Sequence, residues 1–192
     1  RKGIEVLFLY DPVDEFILTS LEKYKDYEFK SIDQADLSQI ENLEDSQEIK
    51  KDVEQLSDQD RLHLSSLVDK FKSILGDKVK DVKISKRLID SPACLVNPDD
   101  TMSSYMQKII NIATNETTIP KKILEINPDH KIVRSLLKIF KSNSNDPVII
   151  DAVEYLFETS LLMDGFLKDP YELISKSYRF LELGCSLYSE KI

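Results

Sequence analysis

The chain has 192 residues, 41% apolar and 32% charged, enough to bury roughly 70% of its unfolded surface in a core without staples. Cys94 and Cys185 belong to no paired spacing, and the longest uninterrupted apolar run, Val6 to Tyr10, falls far short of the roughly 20 residues of a membrane helix, so a disulfide scaffold and a membrane partner are both excluded and a reducing, cytoplasmic compartment is expected. The net charge of -9 is local, because Asp33 to Asp60 holds ten acidic residues against Lys50 and Lys51, and the near-neutral remainder lacks the basic stripe that would make nucleic acid a partner.

Position 1 is Arg and a strand-like run begins by Ile4 without a leader, so the chain is expected to be a segment of a longer polypeptide. Ile4 to Tyr10 is nearly all apolar, the pattern of a strand buried on both faces. Asp11 and Pro12 end it and open a helix to about Tyr24, with Asp14 and Glu15 in its first turn and an inward stripe at Val13, Phe16, Ile17 and Leu21. Tyr27 to Ile32 alternates and reads as a half-buried strand, which makes this part the strand-helix-strand tail of an α/β unit.

Beyond the acidic stretch, a solvated linker or helix face, helical spacing returns from about Gln47 to Leu75, and Gly76 stops it. Val79 to Leu88 and Ala93 to Val96 read as two strands, with turn chemistry at Asn97 to Asp100. A helix over Thr101 to Ala113 follows, capped by Asp100 or Thr101. Lys122 to Ile126 is a third strand, and Asp129 opens a helix with Ile132, Val133, Leu136, Leu137 and Phe140 on one side. Between Val148 and Met163 eleven of sixteen residues are apolar, and Tyr171 to Tyr188 adds a second apolar helix. A band this wide suits helices covered on several sides, and a second subunit is the economical cover. The expected fold class is α+β: a small mixed sheet packed with helices and ending in a helical hairpin.

Enzyme signals are absent. His63 and His130 have no His or Cys three or four residues away, as a zinc site would want. Cys94 sits in an apolar strand and Cys185 in an apolar helix, so both read as small buried hydrophobes. The four glycines cannot assemble a phosphate loop, and the pairs Asp14-Glu15 and Asp99-Asp100 read as caps. The helix at Met102, Met106, Ile109 and Ile110 carries two of the three methionines on one face. By pattern that stripe is ordinary core, although methionine also suits contacts with varied partners.

Lys80 to Val96 (KDVKISKRLIDSPACLV), Met102 to Met106, and Leu124 to His130 (LEINPDH) closely resemble the C-terminal domain of the heat-shock protein 90 family in its bacterial, HtpG type. Gly3 to Leu7 and Asp11 to Phe16 are similar to the last strand and helix of that family's middle domain, while residues 141–192 match mainly by pattern. The resemblance implies a division into residues 1–38, the end of the middle domain; 39–52, an acidic linker and the start of a helix; and 53–192, a C-terminal dimerisation domain.

The family comprises ATP-dependent stress-response chaperones that form homodimers through a four-helix bundle of the C-terminal helices. By resemblance Ile149, Val153, Leu156, Phe157, Leu161, Ile174, Tyr178 and Leu181 form the dimer interface. Met102, Met106, Ile109 and Ile110 become client-contact residues, as does Phe16, whose position is often Trp in the bacterial family. The implied partners are a second copy, unfolded or partly folded clients and other chaperones. ATP and magnesium belong to the N-terminal domain of the parent protein, so no cofactor and no ATPase are expected in these residues. The ending Ser189 to Ile192 lacks the acidic tail to which tetratricopeptide cochaperones dock. A reading from another class makes the chain a regulatory or accessory domain of a multidomain enzyme whose active site lies in residues outside it.

Overall fold

A computed structural model describes residues 4–33, 56–98, 101–116 and 118–190. The chain separates into two units, Arg1–Val53 with Val96–Pro120 and Glu54–Leu95 with Lys121–Ile192. The acidic stretch from residue 34 and the expected helix start near Gln47 lie outside the described residues, as does Asp100.

In the first unit, helix α1 (Pro12–Leu21) starts where the sequence places it. Asp14 Oδ2 accepts the backbone N–H of Asp11 at 3.1 Å, satisfying a donor that the helix cannot. The helix ends at Leu21, short of the expected Tyr24, and the chain turns into a hairpin of β1 (Lys23–Tyr24) and β2 (Tyr27–Glu28). The expected strand over Tyr27 to Ile32 is thus cut to two residues. Ile4 to Tyr10 forms no strand, and Phe8 is 74% exposed. A strand buried on both faces needs a ladder on each side, and no described residue pairs with this run. The stripe of Val13, Phe16, Ile17 and Leu21 is likewise exposed instead of inward.

Helix α3 (Ser104–Thr114) belongs to this same unit. It starts later than the sequence suggests because Ser103 is the cap, its Oγ accepting the Met106 N–H at 3.1 Å. Asn115, in the left-handed region at φ 55°, ends it.

The second unit opens with α2 (Asp58–Leu75), capped by Ser57 and stopped at Gly76, whose φ of +50° favours glycine. A 3-10 turn (Gly76–Lys78) leads to the sheet strands β3 (Asp81–Ile84), β4 (Ala93–Val96) and β5 (Ile123–Ile126), arranged in the order β3-β5-β4. β3 and β5 are parallel, Asp81 opposite Ile123 and Ile84 opposite Ile126. The central strand β5 is buried at all four positions, as a strand covered on both faces is. Helices α4 (Lys131–Ser142), α5 (Pro147–Met163) and α6 (Tyr171–Ser189) complete the unit. One apolar core joins Leu67 and Phe71 of α2, Leu124 and Ile126 of β5, Val133 and Leu137 of α4, and Ile149 and Val153 of α5.

The sequence blocks that carry the family resemblance bind one another here. Glu125, buried in β5, accepts two bonds from Arg87, Nε to Oε2 at 2.9 Å and Nη2 to Oε1 at 2.8 Å, and a third from Ser85 Oγ at 2.8 Å. Ser85 Oγ in turn accepts the N–H groups of Arg87 and Leu88. Asn127, 1% exposed, donates to the carbonyls of Ile89 and Ser91 and accepts the Asp129 N–H. The segment between β3 and β4 is therefore pinned by side chains that leave the end of β5, and the buried Ser85, Glu125 and Asn127 side chains are all hydrogen-bonded.

Candidate functional site

The described residues present two exposed apolar surfaces. No group of three or more His, Cys, Asp or Glu side chains among them is placed to hold a metal, and no described helix is long and apolar enough to cross a membrane. His63 Nδ1 lies 2.8 Å from the Gln59 carbonyl, and His130 Nδ1 accepts the Ile132 N–H, so His130 caps α4 where the sequence suggested Asp129. Asp129 instead pairs with Arg134 at 3.0 Å. Cys94 is half-buried, and burial, helped by the nearby Glu125 carboxylate, pushes its thiol up to about 12, which keeps it protonated and unreactive. Cys185 is exposed, a correction to the expectation that it is buried, because α6 turns that side away from its own core.

The first surface lies in the first unit. Phe16 is 59% exposed and forms a shallow depression with Ile17, Ser20 and Leu21. Met102 is 57% exposed, while Met106, Ile109 and Ile110 are half-buried along α3, which has no fully buried residue. Tyr105 and Ile112 form the open edge of the same apolar arc, and the sequence reading left Ile112 out of it. The segments bearing Phe16 and Met102 are tied twice: the Asn97 N–H donates to the Asp33 carbonyl at 2.7 Å, and Ser103 Oγ donates to Glu15 Oε2 at 2.7 Å.

The second surface lies on α6. Ile149, Val153, Leu156, Phe157 and Leu161 are all buried in the core of their own chain, with Leu156 only 3% exposed. Most of the apolar surplus of α5 is therefore covered within the chain, and these five residues keep at most 7% of their surface exposed. Ile174, Tyr178 and Leu181 differ, with Tyr178 69% and Leu181 63% exposed. They belong to a longer stripe, Tyr171, Ile174, Tyr178, Leu181, Cys185 and Tyr188, all exposed and spaced alternately three and four residues apart. That is the seam spacing of helices that pack along their length, a period legible in the sequence.

The opposite side of α6 is fixed to α5. Tyr155 and Phe180 meet edge to face with centroids 5.6 Å apart, Arg179 pairs with Asp151 at 2.7 Å, and Lys176 pairs with Glu158 at 2.7 Å and Glu154 at 3.1 Å. Burial opposes the Lys176 charge, but the hydrogen bonds to Glu158 and Glu154 outweigh it and hold the ammonium above its ordinary pKa. Because Asp151 meets Arg179 near the start of α5, the end of α6 runs past that start, and Leu183, Leu187 and Tyr188 are exposed there. The stripe is thus held from behind by α5, with its side chains exposed among the described residues.

An α+β unit with an interlocked RLIDSPACLV and LEINPDH pair and a terminal helical hairpin defines the class: the chain belongs to the Hsp90 family, whose model, described as Hsp90 protein, matches residues 1–192. Curated relatives that it resembles include bacterial chaperones. It is 42% identical over 188 residues to the chaperone protein HtpG of Nitratidesulfovibrio vulgaris, covering 98% of this chain and 29% of that protein. It is 42% identical over 191 residues to HtpG of Oleidesulfovibrio alaskensis, covering 99% and 30%, and 36% identical over 181 residues to HtpG of Chlorobium luteolum, covering 94% and 28%. The chain spans less than a third of the length of these relatives.

Proposed function

We propose that this chain is the dimerisation and client-contact part of an ATP-dependent cytoplasmic chaperone. The observation that carries the reading is the exposed, regularly spaced stripe of α6, held from behind by Lys176, Arg179 and Phe180. A second copy covers Ile174, Tyr178 and Leu181, together with Tyr171, Cys185 and Tyr188, and the two hairpins form a four-helix bundle. Residues 1–38 close the middle domain, 39–52 link, and 53–192 dimerise. ATP, magnesium and hydrolysis belong to parts of the chaperone outside these residues.

The joint holds two arms at high effective concentration, so that their closure on an unfolded protein becomes intramolecular. Phe16, Met102, Met106, Ile109 and Ile110 supply apolar contact, and the methionines adapt to different segments. Replacing Met102, Met106 and Ile110 together by Gln tests this reading. The variant should remain a dimer and lose most of its ability to slow the aggregation of heat-denatured citrate synthase. Equal suppression by the variant and the parent chain contradicts the client assignment.

A further inference from the structure

The Ser103 hydroxyl serves two helices. Its oxygen accepts the Met106 N–H and closes the first turn of α3, while its proton goes to Glu15 Oε2 of α1 at 2.7 Å. Both residues are half-buried, which shields this charge-assisted bond from full competition by water. Packing holds α3 less firmly than a core helix, since its residues are half-buried or exposed and none is fully buried. Asn97, whose N–H donates to the Asp33 carbonyl, also reaches α3 through its side-chain amide, but its bond to Ser104 Oγ is long, 3.4 Å, and neutral, a weaker hold on the helix than the carboxylate bond at Ser103.

We propose that Glu15 is a positioning residue: through Ser103 it sets α3 against α1, so that the apolar arc of α3 and the Phe16 face are presented as one client surface. The inference rests on the client-contact reading and adds to it a carboxylate that acts by geometry. The bond joins one residue before Phe16 to one residue after Met102, so the two exposed side chains flank the latch.

Capping and latching can be separated by substitution. Ser103→Asp keeps a strong cap for the Met106 N–H but sets a second carboxylate against Glu15. Glu15→Gln alone still offers an amide oxygen to Ser103, and in the double variant its NH2 group can donate to the new carboxylate.

The test uses the whole 192-residue chain in a Cys94→Ala, Cys185→Ser background, with spin labels at Ser20→Cys and Thr114→Cys. An 11-residue helix is a lever of about 16 Å, so release at Ser103 broadens the measured distance distribution at Thr114. Ser103→Asp should raise the undocked population about tenfold. Glu15→Gln, which keeps an acceptor but loses the charge, should raise it by clearly less than Ser103→Asp does, and the double variant should restore the narrow distribution. An unchanged distribution in Ser103→Asp, or no restoration in the double variant, overturns the latch. Suppression of citrate synthase aggregation, measured on the same proteins without labels, should fall and recover in parallel. If α3 undocks and redocks as described while suppression stays constant, the latch stands and the client reading fails.

Discussion

Leu156 and Leu181 are both apolar members of the terminal hairpin, yet the structure assigns them opposite energetics. Leu156 is 3% exposed inside the core of its own chain, so Leu156→Ala should cost about 2–5 kcal/mol of folding stability and leave the association constant of the folded chains unchanged. Leu181 is 63% exposed, and Leu181→Glu should change the stability of an isolated chain by at most about 0.5 kcal/mol. In the dimer the remaining area of Leu181 would be covered, worth about 1–2 kcal/mol per copy and twice that for the symmetric pair. Adding the cost of a carboxylate at an apolar seam, the dissociation constant should rise at least about a hundredfold. Urea unfolding at high dilution and sedimentation equilibrium of both variants separate the two effects. A Leu181→Glu chain that associates as tightly as the parent, or a Leu156→Ala chain that keeps full stability but dissociates, refutes the placement of the seam on α6.

Three further outcomes follow from the interior and the charges. Arg87→Ala leaves the buried Glu125 without its cationic partner, only Ser85 still donating to it, and should cost about 3–5 kcal/mol in urea unfolding, whereas replacing Arg87 and Glu125 together by Met and Leu should recover most of that loss. Asp81, held below the ordinary 3.8 first by its bond from Lys72, and Asp60, held down first by Lys141, contribute stability that is complete above 3.8 and lost as pH falls through their lowered folded values. Asp81→Asn should therefore flatten the pH dependence of stability below about pH 4, and an unchanged slope removes that ion pair from the acid limb. Iodoacetamide should modify exposed Cys185 in dilute chain and leave Cys94, pushed up to about 12 by burial, untouched until unfolding; Cys185 labelling should slow as concentration rises and the seam closes.

The second unit was largely legible in the sequence, because its elements carry their own signals. Gly76 stops α2 and the apolar run within Lys122 to Ile126 forms β5, so there local chemistry and tertiary structure agree, whereas the strand expected over Val79 to Leu88 is cut to Asp81–Ile84. The first unit was less legible. Ile4 to Tyr10 has the composition of a buried strand, but strand formation is settled by ladder partners that the run itself does not contain. Periodicity identified α5 and α6 as apolar without telling which side each helix turns to its own core, so Val153 and Leu181 looked alike until burial separated them. The bond between Ser103 and Glu15 was invisible for a different reason: 88 positions separate the partners, and neither residue is unusual alone.

The central claim is that α6 joins two copies of the chain, and sedimentation equilibrium across a dilution series tests it most directly. A dimer persisting below about micromolar concentration, as an interface of about 1,200–2,000 Å² or more can sustain, is the predicted result. A monomer at every concentration would contradict the account, leaving Ile174, Tyr178 and Leu181 exposed with no partner to cover them.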